Sequence, residues 1–539
     1  MGRARQSGVL ERSKVFYNCK FITLNPSRPA AEAMLVTGGR IMAVGALEDI
    51  QAAAPSGAQR VDLAGKVAVP GFNDSHLHLL NWGLGRQGAD LTGARSIPEL
   101  IGLGRRHLQA APASEIIIGR GWNDEQFDRK ALPRKEDLDR VSTSVPIIFT
   151  RVCGHVCAVN AKALELAGIN RGTQEPAGGS IERDPLTGEP TGILRETAME
   201  LVRVLLPTPT VADLKRILRQ AAHSAAALGL TTVQANDLNG RAALSRELEA
   251  YRQLAAAGEL PIRINLQAAA ATLDDVRAYL EAKEELRDLG PYLTLGPVKL
   301  YADGSLGAKT AALGHPYADA PHTEGIALYS QEELDALVQT AARGNSQVAV
   351  HAIGDRALEM VLNSYVRAKQ AVFGWTARPR VVHCQIARLE QLRRMAALGI
   401  VADIQPIFVP TDRHFVESRI GKENARHSYA WKTMLELGIQ IAGGSDCPVE
   451  SCNPLRGLWA AITRDGWHTE QCLAALDALS LFTLGSAYAA GEEMIKGTLT
   501  PGKLADFAVL PENPLTIDPR RLLSMEVEAV YVGGEQVKQ

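Results

Sequence analysis

The sequence predicts an α/β protein built on a (β/α)₈ barrel of the TIM type. A composite β-sandwich from both termini flanks the barrel, and a large insertion follows the first barrel strand. Three observations predict this. The middle of the chain alternates apolar, strand-like runs with amphipathic stretches, as in βα units around a parallel sheet. Both ends carry short strands broken by glycine turns, and one gap between barrel strands is far too long for a single crossover.

Near the N-terminus, KVFYNCKFITL, EAMLVTGGRIMAVG (turning at Gly38-Gly39) and VDLAGKVAVPG read as strands. The C-terminal end repeats that texture in GKLADFAVL and in VEAVYVGGEQV with Gly533-Gly534. Neither end has strands enough to stand alone, so residues 13–69 and 495–539 are expected to pair into one β-sandwich domain. The first dozen residues read as a loose tail. They are basic but lack the apolar stretch of a secretory signal, and Gln6 occupies the position where N-myristoylation needs Ser or Thr.

Residues 70–494 are assigned to the barrel. Its eight strand candidates are 67–76, 230–237, 261–269, 294–303, 346–354, 379–386, 399–406 and 439–446. Helical patterns such as 211–229 and 330–344 lie between them. Residues 84–210 form the insertion, with strand-like EIIIGRGW and SVPIIFTRVCGH and a helical NAKALELAG. Long βα insertions sit over the C-terminal face of such barrels, so a lid or pocket wall is expected.

The 539 residues are 46% hydrophobic and 22% charged with net charge −2, a balance that favours no nucleic-acid or membrane partner. No run of about 18 apolar residues predicts a membrane span. A small-molecule substrate is the expected partner. A homodimer is compatible, since the terminal β-unit offers edges for one. The seven cysteines contain no CxxC pair, and a chain this large needs no disulfide staples, so a reducing, cytoplasmic setting is expected.

His76 and His78 stand two apart on a strand, so both imidazoles project from one face and can share a metal ion. Three later strands end on ligand-type residues: His351 in VAVHAIGD, His383 in RVVHCQI and Asp446 in AGGSDCP. Each follows an apolar run and precedes a loop, where a barrel exposes its catalytic groups. In VKLYAD, Lys299 shares a face with Tyr301 and Asp303. A buried, unpaired ammonium tends to lose its proton. The neutral amine reacts with CO₂ to give a carbamate, an anion whose two oxygens can bridge two metals. The plainer alternative is a Lys299–Asp303 ion pair.

With these residues in place the chain resembles the amidohydrolase superfamily. It looks most like the amidohydrolase-3 branch, which includes N-substituted formamide deformylases, on VKLYADGSLGAKTAAL, VAVHAIGDRAL, RVCGHVCAVNAKAL and PTGILRE. The resemblance covers nearly the whole chain, including the closing GTLTPGKLADFAVL. It implies one divalent ion on His76, His78 and Asp446 and a second on His351 and His383, bridged by carboxylated Lys299 and a hydroxide. Zn²⁺ suits mixed imidazole and carboxylate ligation, with Mn²⁺ or Fe²⁺ as alternatives. The implied reaction is attack of that hydroxide on a non-peptide C–N bond of amide, N-formyl or N-acyl type, with Asp446 moving the proton.

Substrate contacts are expected from His155, which closes a strand of the insertion, from Asp303 and from Trp122 in GRGWND; Glu196 and Arg413 are weaker candidates. Two other functions compete. A hydrolytic deaminase of the same superfamily typically places Glu three residues after the fifth-strand His; here that position is Gly354, although Asp355 follows. A non-catalytic scaffold would have lost ligands that this chain retains.

Overall fold

The computed structural model describes residues 13–110, 115–176, 178–206 and 208–538. The expected N-terminal tail lies outside them. Eight strands form a parallel sheet in chain order. They are β1 (Phe72–Leu77), β2 (Leu230–Asn239), β3 (Arg263–Ala269), β4 (Leu293–Tyr301), β5 (Val348–Ala352), β6 (Arg380–His383), β7 (Val401–Ile404) and β8 (Ile441–Gly443). Just beyond β8, Asp446 N–H donates to His76 O and His78 N–H to Cys447 O, both at 2.8 Å, bringing the last strand against the first. The TIM-type α/β barrel read from the sequence is the observed fold.

The crossover helices follow from their sequences. Val211–Ala227 begins at Thr210, whose side chain accepts from Asp213 N–H while Asp213 reaches back. Ser330 and Glu333 do the same for Gln331–Arg343. Each such cap is worth about 1 kcal/mol. The buried stripe of the first helix, Leu214, Ile217, Leu218, Ala221, Ala222 and Ala225, recurs at the helical period and packs on the strands.

The first strand candidate, 67–76, divides in two. Val67–Pro70 ends a terminal-sheet strand paired with Phe507–Leu510, and β1 begins at Phe72. Gly71 marks the break because a Cβ there would stand 2.2 Å from Thr231 Oγ1.

Strands from both termini join in a single eight-stranded sheet rather than in two separately bonded ones. Phe16 and Tyr531 lie on strands separated by two others, which would put them roughly 14 Å apart in a flat sheet. Their ring centroids are 5.1 Å apart, so the sheet curls around a core of Phe16, Phe507 and Tyr531. Asp506 anchors this unit to the barrel through a buried bidentate pair with Arg263 on β3, at 2.7 and 2.9 Å.

The insertion has its own six-stranded sheet, from Ala89–Asp90 to Pro190–Glu196, with a hydrophobic cluster on each face. Among the described residues no helix is long and apolar enough to cross a membrane.

Candidate metal centre

His76, His78, Lys299, His351, His383 and Asp446 come together at the C-terminal ends of β1, β4, β5, β6 and β8. The nitrogens of His76 and His78 and an Asp446 oxygen lie within 4.8 Å of one another. The imidazole rings form a chain, with centroids 5.3 Å apart for His76–His78, 5.8 Å for His76–His383 and 4.5 Å for His383–His351. Two ligand candidates have backbone in the left-handed region, His383 at φ 75° and Asp446 at φ 56°. Such residues persist where surrounding structure over-determines them, and here the conformation aims side chains at a common point.

Each imidazole has one nitrogen committed to an acceptor. His76 Nδ1 lies 3.1 Å from Gln267 Oε1, His78 Nδ1 3.1 Å from Asn236 O, and His383 Nδ1 2.7 Å from Gln405 Oε1. Gln267 and Gln405 donate through Nε2 to the Ser75 and Asp403 carbonyls, so their oxygens must face the rings. His351 is reversed: Nε2 lies 3.0 Å from Gly304 O, leaving Nδ1. The ring protons therefore sit on the committed nitrogens, and the other nitrogens present lone pairs.

That arrangement fits a cation. Asp446 Oδ1 lies 3.4 Å from His76 Nε2 and 3.1 Å from His78 Nε2. With both ring protons on Nδ1, no proton stands between these atoms, and among the described residues Asp446 Oδ1 has no hydrogen-bond donor. Lone pairs facing each other in a buried site repel unless a positive ion joins them. Burial, reinforced by Lys299, pushes His76 well below its usual pKa; burial and His351 do the same for His383. Both are neutral and able to ligate.

Lys299 is fully buried, and among the described residues its Nζ has no hydrogen-bond partner. It sits 4.0 Å from the Tyr301 ring centroid. Burial pushes its pKa down to about 7 against the pull of Asp446 and Asp403. The Lys299–Asp303 pair is not formed. Asp303 instead accepts from Ala312, Ile353 and Gly354 N–H at 2.8–3.0 Å and lies 3.3 Å from His351 Nε2. It is buried and braces the loops after β4 and β5, so its oxygens are already committed to backbone donors.

Trp122 is also not a pocket wall. It is fully buried in the insertion core against Phe127, with Nε1 donating to Phe149 O. His155 is partly exposed and lies 2.8 Å from Glu196. Burial lowers its pKa, but the Glu196 hydrogen bond and charge outweigh this and raise it to about 9. Asp446 is among the charges acting on it. Arg413 is paired with Asp465.

Gln267, Gln405 and Phe408, whose ring stacks on His383, escape sequence reasoning. Their only signal is a position on, or just beyond, a barrel strand.

A parallel barrel that gathers imidazoles and a carboxylate at its C-terminal mouth has the architecture of a metal-dependent hydrolase. The model of the Amidohydrolase family matches residues 59–538. YtcJ of Bacillus subtilis is 35% identical over 516 residues, covering 94% of this chain and 96% of the relative. The N-substituted formamide deformylase of Arthrobacter pascens is 27% identical, covering 97% and 98%. The crystal structure of an uncharacterized metal-dependent hydrolase from Pyrococcus horikoshii OT3 superposes with TM-score 0.77 at 28% identity, covering 94% of this chain and 99% of that one. The chain belongs to the amidohydrolase family, in its amidohydrolase-3 branch, and is a hydrolase.

Proposed function

We propose that the protein hydrolyses a non-peptide carbon–nitrogen bond, of amide, N-formyl or N-acyl type, in a small molecule. The observation that supports this most is the convergence of four imidazoles with fixed lone pairs on an unpartnered carboxylate oxygen and an unpartnered lysine. His76, His78 and Asp446 would hold one divalent ion and His351 and His383 a second, with Lys299 carboxylated between them. Zinc suits this donor set. When bound, such ions acidify water to a pKa of roughly 7 and polarise a carbonyl as Lewis acids.

The chain's own residues supply the rest. The neutral Lys299 amine forms an N–C bond with CO₂ and releases a proton, which replaces a buried cation by an anion. The Asp446 carboxylate accepts a proton from the attacking water and passes it to the leaving amine. His155, held protonated by Glu196, donates from the insertion to a substrate oxygen. The seven free thiols fit the reducing cytoplasmic setting expected from sequence.

The deaminase alternative typically draws its proton donor from a Glu three residues after the His that His351 matches. A Cβ at Gly354 would stand 2.0 Å from Ala312 O, so that position admits no side chain. Asp355 is turned away, paired with Arg388 at 2.7 Å and accepting from Gly314 N–H.

The test is a substrate screen with the Zn²⁺- or Mn²⁺-loaded enzyme on N-formyl, N-acyl and aryl-amide compounds. Release of amine from at least one class is expected. Release of ammonia from a heterocycle, with no amide cleaved, would overturn the reading.

A further inference from the structure

Among the described residues Arg120 makes no ion pair, although the charge of Asp446 acts on it from farther off. Its strand, Ile117–Trp122, carries it past Gly85 to Gly154, where a Cβ would stand 3.3 Å from Nη2. Among the described residues its side chain makes one hydrogen bond, a long one from Nη2 to Val152 O at 3.3 Å, and its Nε is buried without an acceptor. Among the described residues no carboxylate lies within 4.0 Å of it. Other buried or half-buried arginines are matched: Arg151 by Asp124, Arg263 by Asp506, Arg380 by Asp403, Arg419 by Asp319. Arg464 and Arg183 have no carboxylate either, but Arg464 donates to Tyr429 O and Trp467 O and lies over two indole rings, and Arg183 donates to the Asn170, Gly188 and Thr173 carbonyls. Leaving a guanidinium partly desolvated and unpaired costs stability, and a partner arriving from solution removes that cost.

The space beside it suits such a partner. Arg120 lines a cavity of about 510 Å³ between the insertion and the loop after β8, the loop that follows Asp446. Exposed Arg86 and Arg456 stand at its rim. Two carboxylates share the cavity, and neither reaches Arg120. Asp90 accepts from Thr92 N–H and Oγ1–H. Glu450 accepts from Thr411, and burial pushes its pKa up to about 7.

We infer that Arg120 binds a carboxylate of the substrate, so that the molecules hydrolysed are amides carrying a carboxylate on their acyl or amine half. This rests on the amide reading above. A guanidinium fork matches a carboxylate bidentately, and four of its five donors are unused. Bound there, the carboxylate would tether the substrate beside the Asp446 loop.

The test uses the full-length, metal-loaded protein and two probes of one skeleton, N-acetylglycine and its uncharged amide, N-acetylglycinamide. Binding is read by calorimetry at low and high salt. Wild type is expected to favour the carboxylate about 10- to 100-fold, with the preference shrinking in salt. R120Q should lose that preference and R120K keep part of it. Equal binding of both probes to wild type, or no binding of either, would overturn the inference. So would an unchanged preference in R120Q, which would place the carboxylate elsewhere. Hydrolysis is scored separately. A carboxylate preference lost in R120Q, with neither probe cleaved, supports the anion site and counts against the amide reading alone.

Discussion

Gln405 Oε1 lies 2.7 Å from His383 Nδ1, while Gln405 Nε2 donates to Asp403 O at 3.1 Å. The second bond fixes the amide, the amide fixes the ring proton, and Nε2 of His383 is left as a ligand. Gln405→Leu removes the acceptor without adding charge. Metal affinity is expected to fall about 10- to 100-fold, measured by competition with a chromophoric chelator. Gln267→Leu should act in the same way through His76.

Gly354 is required by its contact with Ala312 O. Gly354→Ala would place a Cβ 2.0 Å from that oxygen, forcing the loops after β4 and β5 apart. A loss of about 1–3 kcal/mol is expected in denaturant unfolding. Gly354→Glu should be less stable still and gain no deaminase activity.

Below the metal centre, Arg380 and Asp403 are both fully buried and paired, and Arg380 also donates to Gln234 Oε1 and Ser75 O, each at 2.8 Å. Arg380→Met leaves an uncompensated buried carboxylate. It should cost about 3–5 kcal/mol, with Arg380→Met/Asp403→Leu recovering much of the loss. Denaturant unfolding of both variants checks this.

The His155–Glu196 pair predicts a pH dependence. Folding raises the His155 pKa from 6.5 to about 9, so the folded state holds the proton more tightly. The resulting stabilisation is fully present below pH 6.5 and is lost as pH rises through about 9. The melting-temperature gap between wild type and Glu196→Gln should shrink across that window. A gap constant from pH 6.5 to above 9 would contradict the pairing.

Much of this was legible in the sequence because barrel strands announce themselves. An apolar run ending on His351, His383 or Asp446 places a polar group where burial would otherwise forbid it. Lys299 was legible for the same reason, standing among apolar neighbours on β4. The first strand was misjudged because VAVPGF runs apolar on both sides of Pro70-Gly71, and the Thr231 contact shows why the chain divides there. Asp303 was taken for a substrate contact because its three backbone donors come from loops that a linear reading cannot bring together. Trp122 sits at a strand end like the ligands do, but on the insertion's own sheet, where its ring fills that core.

The binuclear, lysine-bridged centre is tested most directly by elemental analysis of wild type and Lys299→Met, paired with ¹³C NMR in labelled bicarbonate. The expected result is about two divalent ions per wild-type chain and a carbamate carbon resonance that Lys299→Met abolishes together with part of the metal. A single ion per wild-type chain with no carbamate resonance would contradict it.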